Sequence, residues 1–284
     1  MALSSLQLDA FSEVARTCSF SRAANNLHIT QSALSQRVLN LEAELATALF
    51  VRDPSGVRLT SAGEELLRYC QIKEGLEREV LSQLSDSYQS AKGVIRIAGF
   101  SSVMRSVVMP ALCDLVTKND AIQVELFSRE LRDLSTMLAR NESDFIIACE
   151  APNRHDIESH LLGYEENVLV VSSRKKAVPD IYFDHDLEDQ TTSAFFTLQK
   201  ETKKIRRSFV DEVYAIRDAV SLGWGKAVLP IHLVKGVAGI KIAAEYKPLK
   251  IPILFQYYRQ PYYPKLHQEI RATILSKAPG LLHY

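Results

Sequence analysis

The sequence has few of the groups that mark metal-binding, disulfide-rich or membrane proteins. Its four cysteines are scattered and none stands in a Cys-x-x-Cys pair, so neither a disulfide framework nor a thiolate metal site is expected. Lys plus Arg and Asp plus Glu both number 34, so bulk charge indicates no polyanionic partner. A basic-then-apolar leader and an apolar run of about 18 residues are also missing. We expect a cytoplasmic protein with no membrane contact, no metal and no other cofactor.

The most informative stretch of the chain is residues 28–45. Thr30 can cap a helix by accepting a hydrogen bond from a backbone N–H group. Apolar residues then recur in steps of four, three and four, at Leu34, Val38, Leu41 and Leu45. The opposite face carries Ser32, Ser35 and Gln36, which are short or uncharged polar residues. Such a face can approach the major groove of DNA and hydrogen-bond to base edges.

The flanking residues complete a winged helix-turn-helix pattern. A first amphipathic helix contains Phe11, and Ser21 can cap a second helix over residues 22–27. After the polar-faced helix, residues 50–52 and 57–59 predict a hairpin around a Pro/Gly turn, which would be the wing. The alternative is a small helical bundle with a Ser-rich exposed face.

Charge limits how this domain could hold DNA. Residues 1–60 contain five Arg, no Lys and five acidic residues, so the segment is neutral. Phosphate contacts normally dominate affinity for DNA. We therefore expect affinity to depend on well-placed arginines, on helix N-termini and on more than one copy of the domain.

A long amphipathic helix follows the wing. Thr60 and Ser61 can start it, and its pattern continues to about Ser87, roughly 40 Å along the axis. An apolar stripe at coiled-coil spacing contains Leu66, Tyr69, Leu76 and Val80. Either the helix pairs with a second copy, which would set two DNA-reading helices at a fixed spacing, or it packs on its own C-terminal domain.

The C-terminal two thirds alternates strands with helices and predicts a mostly parallel α/β sheet. Predicted strands cover residues 94–98, 122–127, 145–148, 167–172, 193–196 and 225–229. Predicted helices in the second unit cover residues 200–210 and 214–222. Ligands of open α/β sheets bind beyond the carboxyl ends of strands, where Phe100, Ser101 and Ser102 stand. Their hydroxyl and N–H groups suit a carboxylate, or the serines only cap a helix.

The motifs of the first 65 residues closely resemble those of the LysR-type transcriptional regulators. The matching stretches follow the family's order and spacing at residues 19–24, 27–35, 49–52 and 59–63. A looser resemblance covers the rest of the chain, above all residues 219–230. Residues 28–37 are most similar to the branch that senses basic amino acids and controls their export.

The resemblance implies an α/β fold class with three parts: an N-terminal winged helix-turn-helix, a long linker helix and a two-lobed, periplasmic-binding-protein-like effector domain. The implied bounds are 1–60 for the DNA-binding domain, 61–90 for the linker, 91–163 with 261–284 for lobe I, and 164–260 for lobe II. The two crossovers between the lobes would fall near residues 162–165 and 259–261.

The resemblance also implies site residues and partners. DNA would be contacted by Gln31, Ser32, Ser35, Gln36, Arg37, Arg52 and Thr60. A small-molecule effector, an amino acid or a small carboxylate, would be bound by Phe100, Ser101, Ser102, Cys149, Thr197 and Gln199. Expected partners are a pseudo-palindromic double-stranded DNA site, further copies of the chain in a linker-paired dimer and a homotetramer, and RNA polymerase as a further candidate.

Two other hypotheses compete with a gated transcription factor. Two-lobed α/β clefts also host enzymes, and residues 184–186, Asp-His-Asp, form the one tempting cluster. We interpret that cluster as a surface loop and expect no catalysis, because the sequence has neither a Gly-rich phosphate loop nor a nucleophile elbow. A transport solute-binding protein shares the expected effector fold, but the winged helix opposes it. Cys149 could be a redox switch or a buried small residue.

Overall fold

The computed structural model describes residues 3–53, 56–84, 92–152, 154–201 and 204–282. The first domain contains three helices and a hairpin: α1 (Ser5–Thr17), α2 (Phe20–Asn26), α3 (Gln31–Glu44), β1 (Phe50–Asp53) and β2 (Gly56–Leu59). The predicted turn residues Pro54 and Ser55 lie outside the described part of the chain. Thr30 caps α3 as predicted, since its Oγ1 accepts from the N–H of Ala33 at 3.2 Å.

The cap predicted for α2 is wrong by two residues. Ser19 has an extended backbone and its Oγ accepts from the N–H of Arg22, so the helix begins at Phe20. Ser21 therefore lies inside the helix, and its hydroxyl donates to Oε1 of Gln31 at 2.8 Å. This bond links α2 to the first residue of α3.

The wing is fixed to the helices by one apolar cluster and one carboxylate. Phe50 on β1 packs against Phe11 and Phe20, with ring centroids 5.3 and 5.8 Å away. Oε1 of Glu42 accepts from the N–H groups of Leu49, at 2.7 Å, and of Phe50. The stripe of α3 at Leu34, Val38 and Leu41 is fully buried in the same core. The wing is therefore held in a fixed position relative to α3.

The linker helix α4 (Ser61–Leu84) is held against the C-terminal domain of its own chain. Arg154 bonds to Glu64 at 3.0 Å, and Arg68 forms an ion pair with Asp156. On the outer side Tyr69, Leu76, Val80 and Leu81 are between 40% and 67% exposed. Packing on its own C-terminal domain therefore occurs, and it leaves much of the apolar stripe uncovered. The predicted extension to Ser87 lies outside the described residues.

The C-terminal domain is built on one mixed sheet. Among the described residues its strands are β3 (Gly93–Gly99), β4 (Ile122–Ser128), β5 (Phe145–Ala148), β6 (Ile157–Ser172), β7 (Tyr182–Asp184), β8 (Arg207–Phe209), β9 (Lys226–Pro230), β10 (Ile240–Ile242) and β11 (Leu249–Tyr258). Their order is β4-β3-β5-β11-β6-β9-β7-β8, and β10 also pairs with β6. Pairs are parallel within β3–β5 and within β7–β9, while β6 and β11 run antiparallel to their neighbours. The α/β fold class is confirmed.

Helices cover both groups of strands. They are α5 (Ser101–Val103), a π-helical segment (Met104–Val108) that continues into α6 (Met109–Thr117), α7 (Leu131–Ala139), α8 (Thr191–Leu198), α9 (Val213–Leu222), α10 (Ile231–Val234) and α11 (Lys265–Leu281). The last helix returns to the first lobe, where Leu266, Ile270 and Ile274 are buried in its core. This return was predicted from the family resemblance.

Two elements of the second lobe were predicted wrongly. Residues 193–196 form part of helix α8, in which the consecutive Phe195 and Phe196 are both buried and both pack against Tyr246. Residues 207–209, expected in a helix, form β8, where Arg207 pairs with the buried Asp184 on the adjacent strand.

The long strands β6 and β11 pair with each other and link the two groups of parallel strands. Their pairing shifts register between Ile253 and Leu254, opposite residues 161–163. Leu254 pairs with Ala148 of β5, and Asn167 of β6 pairs with Pro230 of β9. The crossovers expected near residues 162–165 and 259–261 stay a prediction.

Candidate DNA-binding face and effector cleft

The polar face of α3 is open to solvent. Gln31, Ser32 and Gln36 are exposed, and Ser35 and Arg37 are half-buried beside the buried stripe. Ser32 Oγ lies 3.0 Å from Thr30 Oγ1, and Nε2 of Gln36 donates to Oδ1 of Asn40 at 2.8 Å. These contacts orient the side chains along the helix. They leave the outer surface of the helix accessible to the edges of DNA bases.

Thr60 and Arg52, the other two residues assigned to DNA contact, lie outside α3. Thr60 Oγ1 donates to the carbonyl of Ala48 at 2.8 Å and accepts from the N–H of Gly63 at 3.0 Å. This hydroxyl therefore caps α4 and ties it to the segment just before the wing. Arg52 pairs with Val57 in the hairpin, but its side chain lies outside the part of the chain that the structure describes.

A cleft of about 520 Å³ lies between the two lobes, in the size range of small-molecule sites. It opens at the carboxyl ends of β3, β4, β5 and β7, as expected for α/β sheets. Four of the six residues assigned to the effector line it: Phe100, Ser101, Ser102 and Cys149. No side-chain hydrogen bond caps the helix that begins at Ser101.

Thr197 and Gln199 do not line this cleft. Their side chains bond elsewhere. Gln199 Nε2 donates to the carbonyl of Lys247 at 2.8 Å, and Thr197 Oγ1 donates to the carbonyl of Ser193. Their assignment assumed a strand over residues 193–196, whose carboxyl end would have reached the cleft. Because these residues belong to helix α8 instead, it is the first residue of that helix, Thr191, that lines the cleft.

A network of buried, hydrogen-bonded polar side chains lies between the lobes. Glu165, on the crossover part of β6, accepts from Ser102 Oγ at 3.1 Å and lies 2.8 Å from Nε2 of His232. Nδ1 of His232 lies 2.7 Å from Ser106 Oγ. Ser102 and Ser106 belong to the first lobe and His232 to the second. These hydrogen bonds therefore link the two lobes.

The titratable side chains on the wall of the second lobe are mostly carboxylates: Asp184, Asp186, Glu188, Asp189, Asp211 and Glu212. Burial raises the pKa of Asp184, which Thr192 and Arg207 bind. Glu212 accepts from two N–H groups that begin α9. The side chain of Asp211 is 94% exposed and lies 3.1 Å from His185 Nε2, which leaves it the carboxylate most open to a ligand.

Opposing residues close the mouth of the cleft. His185 Nε2 lies 3.0 Å from Glu130 of the first lobe, and Arg132 donates to Glu188 at 2.8 Å. Among the described residues, Glu130, His185 and Asp186 form the one group of three whose ligand atoms are close enough to hold a metal ion. The sequence interpretation placed residues 184–186 in a surface loop and missed that Asp184 is the last residue of a buried strand, β7.

Cys149 lines the cleft and is half-buried. Burial, with the nearby carboxylates Glu165 and Glu150, raises the pKa of its thiol to about 12. Oxidation by peroxide requires a thiolate, so this environment disfavours oxidation. Both roles of Cys149, the redox switch and the small buried residue, stay predictions.

The chain matches one family along most of its length. Residues 6–64 match the bacterial regulatory helix-turn-helix protein, lysR family, and residues 88–278 match the LysR substrate binding domain. The HTH-type transcriptional regulator HdfR of Shigella boydii serotype 18 is 32% identical over 179 residues. That alignment covers 62% of this chain and 63% of the relative, less than two thirds of its length.

Solved structures show the same fold. ArgP from Mycobacterium tuberculosis superposes with a TM-score of 0.78 at 22% identity, covering 98% of both chains. LysG from Corynebacterium glutamicum, solved with bound effector Arg, has a TM-score of 0.75 at 20% identity, covering 97% of this chain and 98% of that one. No helix in the described ranges is long and apolar enough to cross a membrane.

Proposed function

The chain belongs to the LysR family of helix-turn-helix transcriptional regulators, and from this premise we propose that it is a sequence-specific regulator gated by a zwitterionic amino acid. The observation that carries the proposal is the pairing of an exposed polar helix face with a two-lobed cleft in one chain. Gln31, Ser32, Ser35 and Gln36 would contact bases, and Arg37 and Arg52 the phosphates. Thr60 would position the wing through its cap. Family membership supports a cytoplasmic location.

The cleft offers opposite environments to the two ends of an amino acid. At one end the N–H groups of Ser101 and Ser102 and the hydroxyl of Ser101 would donate hydrogen bonds to a carboxylate. At the other end Asp211 and Glu130 would attract an ammonium or guanidinium group. A dicarboxylate would place one charge against the acidic wall. We therefore favour a basic amino acid, and the bound Arg of LysG supports the same class.

Closure of the two lobes would couple effector binding to DNA binding. A ligand that contacts both walls favours the closed arrangement of the lobes, because it binds that arrangement more tightly. The lobe that α4 contacts through Arg68 and Arg154 would then shift the linker helices. The exposed apolar face of α4 would pair two copies, and a tetramer would place two such pairs on a pseudo-palindromic promoter site. RNA polymerase would be a downstream partner.

The effector proposal is tested by calorimetric titration of the full-length protein with arginine, lysine, glutamine and glutarate. We expect arginine or lysine to bind and Asp211→Asn to weaken that binding about tenfold, since one charged contact is lost. Asp218→Asn, an exposed carboxylate on α9 that does not line the cleft, is the matched control. Binding of glutarate in preference to arginine would contradict the proposed class.

A further inference from the structure

One side-chain hydrogen bond joins the two helices of the helix-turn-helix at the surface of the first domain. Ser21, the second residue of α2, donates from its hydroxyl to Oε1 of Gln31, the first residue of α3, at 2.8 Å. The two residues are ten apart in sequence and both are exposed. Gln31 belongs to the residues proposed to contact bases, whereas Ser21 does not, so the bond gives Ser21 a link to DNA recognition.

The bond determines which end of the Gln31 amide is presented to a ligand. A glutamine amide has an acceptor end, the carbonyl oxygen, and a donor end, the NH2 group with two hydrogens. The oxygen of Gln31 is held toward α2 by Ser21. The NH2 group lies on the other arm of the planar amide, and it is therefore the end that remains for DNA.

The major groove distinguishes the two ends of an amide. An unrestrained glutamine pairs with adenine through both ends, since it accepts from the N6 amine and donates to N7. Guanine presents two neighbouring acceptors, N7 and O6. An amide that offers only its NH2 group therefore suits guanine better than adenine, because the N6 amine of adenine would meet a second donor.

Gln36 on the same helix is held the opposite way. Its Nε2 donates to Oδ1 of Asn40 at 2.8 Å, so the carbonyl oxygen is the end that remains for DNA. A carbonyl oxygen suits the N4 amine of cytosine or the N6 amine of adenine. The two glutamines of α3 thus present opposite polarity, and in each case a neighbouring side chain determines which end is presented.

We propose that Ser21 is a positioning residue for base recognition, which holds the amide of Gln31 so that its NH2 group donates to guanine in the major groove. The inference rests on the proposed contact between Gln31 and a base. It adds the base that is recognised and the residue that selects it. Loss of the Ser21 hydroxyl would free the amide to pair with adenine through both ends.

The test begins with in vitro selection of double-stranded DNA from a random library by the full-length protein, followed by fluorescence anisotropy on the selected site. Gln31→Ala identifies the base pair that Gln31 contacts, as the position where it abolishes the preference. We expect the wild type to favour guanine over adenine there by about tenfold. Ser21→Ala should reduce this ratio to about one or below, whereas Ser21→Thr keeps the hydroxyl and should keep the preference for guanine.

Controls separate positioning from a role in folding. Ser21→Ala should keep the melting temperature of the wild type, because the bond is exposed and alanine favours a helix. It should also keep the preferences at all other base pairs. Ser5→Ala, at an exposed serine in the first turn of α1, is the matched control and should change no preference. Asn40→Ala should alter the base pair contacted by Gln36 and leave the preference for guanine in place.

The inference is overturned if the wild type selects a base other than guanine at the position of Gln31, or if Ser21→Ala favours guanine as strongly as the wild type does. In both cases the contact between Gln31 and a base would stand. If Gln31→Ala changes no base preference, the proposed contact itself is wrong and the inference fails with it.

Discussion

Polar residues on α3 and polar residues in the effector domain stand in opposite environments. Gln31, Ser32 and Gln36 are exposed and bond to neighbouring side chains on the first domain's surface. Glu165 and His267 are at most 7% exposed, and Glu165 contacts groups from both lobes. The exposed set can change with little effect on folding, whereas the buried set contributes to stability as well as to function. Substitutions that separate stability from binding test this difference.

The largest loss of stability is expected for Glu165→Ala. It leaves Ser102 and His232 buried without their shared acceptor, which should reduce the free energy of unfolding by roughly 1–3 kcal/mol for each group left unbonded. Glu165→Gln keeps the volume and an acceptor oxygen, and should cost less. The neighbouring Glu166→Ala, which loses a half-exposed bond to Lys250, should cost at most about 1 kcal/mol. Urea unfolding measures all three, and equal losses at both positions would contradict the distinction.

An intermediate effect is expected from His267 and pH. The folded state holds its pKa near 3, while the unfolded chain binds the proton below about 6.5. Stability from the neutral ring is therefore complete above pH 6.5 and is lost as pH falls, by about 2–3 kcal/mol at pH 4.5. His267→Phe should lose this dependence between pH 6.5 and 4.5 in denaturant unfolding. Identical pH profiles for variant and wild type would show that the histidine is not the titrating group.

The smallest effect on stability is expected at the DNA-binding face. Gln36→Ala should change the free energy of unfolding by less than about 0.5 kcal/mol, because the side chain is exposed. It should nevertheless weaken binding to the cognate promoter by about 1–3 kcal/mol and relax the preference for one base pair. Gln123→Ala, an exposed glutamine in the effector domain, is the control. Fluorescence anisotropy with the promoter and single-base variants of it would reveal an unchanged preference, which would remove Gln36 from the base-contacting set.

Local pattern was enough for α3 and the hairpin of the first domain, although it misplaced the cap of α2 by two residues. The apolar stripe of α3, its Thr30 cap and the hairpin all came from short-range periodicity and turn residues, and the structure has them at the expected positions. The second lobe was harder, because Phe195 and Phe196 are equally suited to a buried strand and a buried helix. Because this segment was predicted as a strand, Thr197 and Gln199 were assigned to the effector cleft, which they do not line.

The sequence by itself determined the family, the α/β class and the face of α3 that is free to meet DNA, because each depends on residues close together in the chain. Only the tertiary structure decided which polar groups share a site. Glu165, Ser102 and His232 are far apart in sequence and meet because β6 crosses between the lobes. Such meetings depend on long-range packing, which local periodicity does not encode.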